Sequence, residues 1–169
     1  MGTPWWVATS ILLGAALAQS SLLPAAGLVR GRPDLVLLCV VAWAVLRGAR
    51  EALPWAFVGG LLLDLLSGGP FGASALALVL VAFCASAGDV GVFRNAYILP
   101  LLASFWGSVL YGALLLFLLA SLRQPVEWVP ALRHVVVPGA LLNTVCAPLV
   151  YALLSRVDRR TRRSVAIGW

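Results

Sequence analysis

The chain has 169 residues, 62% of them hydrophobic, and a mean hydropathy of +1.01, well beyond what a soluble domain of this size carries. Its net charge of +6 comes from twelve arginines and no lysine, against Asp34, Glu51, Asp64, Asp89, Glu127 and Asp158. These figures exclude a water-soluble globular domain. They point to one all-α integral membrane domain spanning 1–169, held by helix packing and satisfied backbone groups instead of a water-excluded core.

The first predicted helix runs from about Trp5 to Leu23. Its "ALAQS" at 16–20 would pass as a signal-peptidase site, but no basic residue precedes the apolar run, so an uncleaved helix is expected. After "PAAGLVRGRP" come two short helices, from Asp34 to about Leu46 and from about Ala52 to Leu66. About fourteen residues at about 1.5 Å each cover about 21 Å of a hydrocarbon core about 30 Å thick. Both must therefore borrow flanking residues, be shielded by protein, or thin the bilayer. A fourth helix is predicted from about Gly72 to Gly88, a fifth from Ala96 to about Leu119 and a sixth from about Val135 to Leu154. The intervening "SLRQPVEWVPALR" has two prolines and Trp128, the composition of an interfacial loop.

Six spans place both termini on one side. The inner segments then hold Arg47, Arg50, Arg94 and the five arginines of "SRVDRRTRRSVAIGW", while the outer loops hold Arg30, Arg32, Arg123 and Arg133. Positive charge favours the cytoplasmic face, so both termini are expected there, with a basic tail at about 156–169 that anchors to membrane lipids. Five spans with the amino terminus outside is the alternative if the short second segment does not cross. Nucleic-acid binding by the tail is the weaker reading in so hydrophobic a chain.

A membrane hydrolase or transferase needs a nucleophile with its base, a metal cage, or paired carboxylates. The chain has one histidine, His134, and no HExxH, CxxC or glycine-rich phosphate loop. Cys39, Cys84 and Cys146 sit in separate apolar stretches and read as small hydrophobes. No catalysis, metal or cofactor is expected.

The most informative stretch is "GGLLLDLLSGGPFG" at 59–72. With Pro54 in a first helical turn near the cytoplasmic boundary, Asp64 lies about 15 Å deeper, near mid-membrane. A charge there costs on the order of 2.5 to 3.5 kcal/mol and needs a partner. Gly68, Gly69 and Pro70 break the helix, and a new one opening at Gly72 presents unpaired N–H groups. A carboxylate a few residues upstream answers those donors, so Asp64 is expected to fasten the broken pair. An ion pair with Arg47 or Arg50, and direct contact with a ligand or partner, are the other two readings.

Small residues recur every four positions at Ser104, Ser108 and Gly112 in "SFWGSVLYG", at Gly14 and Ala18, and at Gly139, Asn143 and Ala147. Such stripes let helices approach closely. They serve either internal packing or a partner helix, and the partner contacts expected are Gly14, Ala18, Ser104, Ser108, Gly112 and Asn143. Asn143 is also expected to hydrogen-bond a neighbouring helix.

Over "RPDLVLLCVVAWAVLRGAREALPWAFVGGLLLDLLSGGPFGASALAL", Pro33 opens a short apolar helix, Arg47 and Gly48 break it, and the GG-LLLD-LL-G-GPFG block follows. This pattern resembles the bacterial rod shape-determining MreD family across roughly Pro33 to Ala82. Beyond Val81 the chain has "VAFCASAG" where that family often has a Gly-Tyr-Leu type segment, and only hydropathy agrees. The resemblance implies a non-enzymatic scaffold of the inner membrane in the peptidoglycan elongation machinery. It also implies an MreC-like bitopic partner and, through it, a class B penicillin-binding protein, the RodA glycosyltransferase and actin-like MreB. The family in turn resembles the six-helix substrate-binding subunits of energy-coupling-factor transporters. The rival function is thus a vitamin-like small-molecule binding subunit, which would need a cavity lined by Gln19, Asp64, Asn95, Trp106 or Asn143.

Overall fold

The structure, a computed structural model, describes residues 5–25, 33–68, 70–87, 98–123 and 125–166. These residues form six helices and no strand: α1 (Trp5–Ala25), α2 (Leu35–Arg47), α3 (Ala49–Ser67), α4 (Ala73–Ala87), α5 (Ile98–Ser121) and α6. Helix α6 opens as Trp128–Ala131, passes through a π-helical turn at Leu132–Val136 and continues as Val137–Ala166. Among the described residues, two helices are long and apolar enough to cross a membrane, Ile98–Ser121 and Trp128–Thr161; the stretches Trp6–Ser21, Leu35–Arg47 and Ala73–Ala87 are apolar but shorter.

The short α2 lies at the centre. No polar side chain interrupts it between Asp34 and Arg47, and a helix apolar all round has no face to give to water. Nine successive residues, Val36 to Ala44, are buried beneath α1, α3, α4, α5 and α6. Protein therefore encloses the second predicted segment. The third is longer than its hydropathy implied, because Gly48 breaks the chain for one residue only. At φ +76° its N–H donates to the Ala44 carbonyl at 2.9 Å, and α3 starts at the next residue. Pro54 consequently sits inside α3, past the first turn where the sequence placed it, and the Arg50 carbonyl lacks its helical donor.

The adjacent glycines of α3 face two neighbours. A Cβ on Gly59 would meet Val36 Cγ1 at 2.8 Å, and one on Gly60 would meet the Ala75 Cα at 2.2 Å. Helices α3 and α4 thus touch backbone to backbone, an approach open only to glycine. Helix α6 departs furthest from expectation. It starts at Trp128, inside the predicted loop, and runs to Ala166, through most of the predicted tail. The π turn brings Val136 inward against Gly112 of α5, where an added Cβ would lie 2.8 Å from Val136 Cγ2, while Arg133 and His134 of the same turn are exposed.

Replacing Gly60 with Ala should force α3 and α4 apart, at a cost of roughly 1–3 kcal/mol. In thermal unfolding of the detergent-purified protein, Gly60→Ala is expected to melt well below wild type. Gly14→Ala should melt with wild type, since nothing lies within 4 Å of a Cβ at Gly14.

Candidate functional site

Three polar clusters hold the helices, and two of them sit at the ends of α2. At its start, Asp34 follows Pro33 in extended backbone and caps the helix, its Oδ1 accepting from Leu37 N–H at 2.9 Å. Gln19 of α1 accepts from Val36 N–H at 3.4 Å. Asn143 of α6 accepts from Asp34 N–H at 2.7 Å through Oδ1, and its Nδ2 donates to Ser108 Oγ at 2.9 Å. The Ser108 hydroxyl donates in turn to the Ser104 carbonyl at 2.6 Å. The donors of Leu37, Val36 and Asp34 at this helix start are thus answered by Asp34 itself, by α1 and by α6.

At the other end of α2, Arg47 pairs through Nε with Asp158 of α6, and through Nη1 with Glu51 of α3 at 3.0 Å. The Arg47 and Asp158 side chains are only 10% and 11% exposed. The guanidinium lies 5.6 Å from the Trp43 ring centroid, and Trp43 stacks on Trp55 with centroids 4.3 Å apart and planes 6° from parallel. One cation thus ties three helices and rests on an aromatic pair, an arrangement that favours arginine over lysine. The buried Trp43 Nε1 has no hydrogen-bond acceptor among the described residues, so the ring is held by stacking and charge.

The third cluster joins α3 to α4. Asp64, 4% exposed, accepts from Gly72 N–H at 2.8 Å and Ala75 N–H at 3.4 Å through Oδ2, and from Ser74 N–H at 3.0 Å through Oδ1. Gly68 at φ +64° and Gly72 at φ +93° make the reversal that returns the chain to its own carboxylate. Pro70 takes part through its carbonyl, which accepts from Ala73 N–H at 3.2 Å; Gly69 lies outside the described residues. The carboxylate has the position and the donors of a cap on α4. Arg47 is engaged with Glu51 and Asp158, and Arg50 is exposed.

Ser104, Ser108 and Asn143 are buried, and Gly112 abuts Val136. The α5 stripe expected to meet a partner is filled by α6 of the same chain, because the Asn143 amide needs the Ser108 hydroxyl. Ala147 is buried with them. The α1 stripe differs, with Gly14 exposed and Ala18 partly so. Of the polar residues proposed for a ligand cavity, Gln19 and Asn143 meet at the start of α2, where they accept from its backbone. Gln19 borders an opening of about 370 Å³ between α1 and α3, and Trp106 an apolar one of about 200 Å³ between α4 and α5. Neither is lined by Asp64 or Asn143, and Asn95 is outside the described residues. Among the described residues, no three of His, Cys, Asp and Glu are grouped as a metal ion requires.

Asp34 opens the second predicted span, and an Asp directly before an apolar run also carries the signature of a helix cap. The Arg47–Asp158 pair, 111 residues apart, left no local signal.

The family model for the rod shape-determining protein MreD matches residues 2–157. The chain belongs to that family, a family of membrane proteins that determine cell shape. No solved structure matches it.

Removing the Asp64 carboxylate should leave two buried donors, Ser74 and Ala75 N–H, and the part-buried Gly72 N–H unanswered, at roughly 1–3 kcal/mol for each that no water reaches. Asp64→Ala is expected to accumulate poorly and Asp64→Asn, which keeps one acceptor oxygen, to fall between it and wild type, as read by the yield of monodisperse protein. For the ion pair, Arg47→Met and Asp158→Leu should each destabilise by about 3–5 kcal/mol. The double variant should lose clearly less than the sum of the two in a chemical unfolding cycle.

Proposed function

We propose, with membership of the MreD family as premise, that the chain is a scaffold of the bacterial cytoplasmic membrane and catalyses no reaction itself. In this reading it crosses six times with both termini in the cytoplasm. It binds the transmembrane helix of an MreC-like bitopic protein and through it supports a class B penicillin-binding protein, RodA and MreB in peptidoglycan elongation. The observation that carries the proposal is the family match across residues 2–157.

The disposition of polar groups supports it. Asp34, Asp64, Asn143 and Asp158 are spent on helix ends and helix pairs, which leaves the outer surfaces as the part that varies with a partner. The ties of α2 to α6 also agree with six spans. Asp34 meets Asn143 and Arg47 meets Asp158, so the two helices run parallel, as the second and sixth of an alternating series do.

The surface offered for the partner is the outer face of α1, where exposed Gly14 lies between the exposed leucines Leu13 and Leu17. A glycine gap flanked by large apolar side chains admits another helix at short distance.

Co-expression with a bitopic, periplasmic coiled-coil protein encoded by a neighbouring reading frame should yield a complex stable in mild detergent. Gly14→Leu should reduce recovery of the partner several-fold without lowering the yield of the chain. Turnover of a substrate or carriage of a solute by the chain alone in liposomes would overturn the scaffold assignment. Unchanged recovery by Gly14→Leu would remove only the α1 surface.

A further inference from the structure

The final segment of α6, Val137–Ala166, has 30 residues, about 45 Å at about 1.5 Å each and longer than a hydrocarbon core of about 30 Å. Its last turns therefore project beyond the bilayer in the crossing just proposed, on which this inference rests. The Arg47–Asp158 pair sets the rotation of those turns. With about 100° between successive residues, Arg156, Arg159 and Arg160 fall within an arc of about 100°, and Asp158 lies on the opposite side. Asp158 is buried and the three arginines are exposed, and no ion pair of theirs occurs among the described residues.

Towards the membrane, Leu149 falls within the same arc and Leu153 about 20° beyond its edge; they are 66% and 51% exposed. One face of one helix is thus apolar up to Leu153 and cationic from Arg156 onward. Side chains of an α-helix tilt towards its N-terminus, so the guanidinium groups lean back over the leucines.

We infer that this face, Leu149 to Arg160, is a binding site for an anionic phospholipid. An acyl chain lies along Leu149 and Leu153, and the phosphodiester is held among Arg156, Arg159 and Arg160. Guanidinium groups suit the phosphate by paired N–H donation, and the leucines account for the tail. The acidic surface of a cytoplasmic protein would match the arginines but leave the leucines uncovered. The Arg47–Asp158 pair acts as a positioning element, turning the one acidic residue of the segment away from the lipid.

Native mass spectrometry of the full chain from neutral detergent, with phosphatidylglycerol and phosphatidylcholine added in turn, tests the site. Wild type should retain phosphatidylglycerol in preference, and added salt should weaken that preference. The R156Q/R159Q/R160Q variant should bind phosphatidylglycerol more weakly, by about fivefold per arginine removed, with phosphatidylcholine unaffected. R156K/R159K/R160K should retain most of the preference, and R123Q/R133Q, with charges removed outside this face, should match wild type. Near-ultraviolet circular dichroism from the stacked Trp43 and Trp55 verifies that each variant is folded; were the glutamine variant unfolded, the salt titration of wild type would decide. No preference in wild type, or an equal one in the folded glutamine variant, would overturn the inference. So would loss of an acidic protein partner with lipid retention unchanged. Capture of the bitopic partner is expected to survive in all these variants, so failure of the lipid site and failure of the scaffold reading are separable.

Discussion

A short helix with no polar side chain between its ends can be enclosed only if its unsatisfied backbone groups find partners within the protein. Helix α2 sets this requirement, and much of the structure answers it. Its first N–H groups are taken by Asp34, Gln19 and Asn143. Its last turn is held through Gly48 and the Arg47 cluster. Remove either set and a stretch about 20 Å long becomes an apolar rod with polar ends, unable to sit in the centre of a bundle.

The same logic governs the α3–α4 reversal. A backbone reversal between closely packed helices leaves buried and half-buried N–H groups, and a single carboxylate answers three of them. The close approach at Gly60 is what puts them in reach, since a side chain there would hold α4 away from Asp64. Carboxylate and glycine form one device: the glycine sets the distance over which the carboxylate works.

The parts of this arrangement that were legible in the sequence were local ones. The apolar runs, the Gly-Pro break and a carboxylate eight residues before Gly72 lie within single stretches of chain, where helix geometry alone relates them. Gly112 and Ser108 were legible as small residues, but whether a stripe faces the chain's own helices or another protein's depends on Asn143, which is distant in sequence. The extent of α6 was masked by charge: "DRRTRR" ends a hydropathy window without ending a helix, since none of its residues breaks the backbone pattern. The Arg47–Asp158 tie was illegible because two residues on different helices leave no mark in either one.

That tie bears on how a scaffold could transmit anything. Asn143 and Asp158, fifteen residues apart on α6, are fixed to Asp34 and Arg47, thirteen apart on α2; the two spans measure about 22 and 20 Å along their axes. Two bonds at nearly matched separation prevent α6 from tilting or sliding against α2 unless one of them opens. The buried ion pair is the more costly to open, because it separates opposite charges in a poorly solvated site. A load applied to the C-terminal end of α6 is therefore carried by Asp158 to Arg47, and from Arg47 to Glu51 of α3, before it can deform the bundle. Among the described residues, the ionic junction of Arg47, Asp158 and Glu51 lies where the long α6 meets the enclosed α2, which is where the coupler proposed above would have to be stiffest.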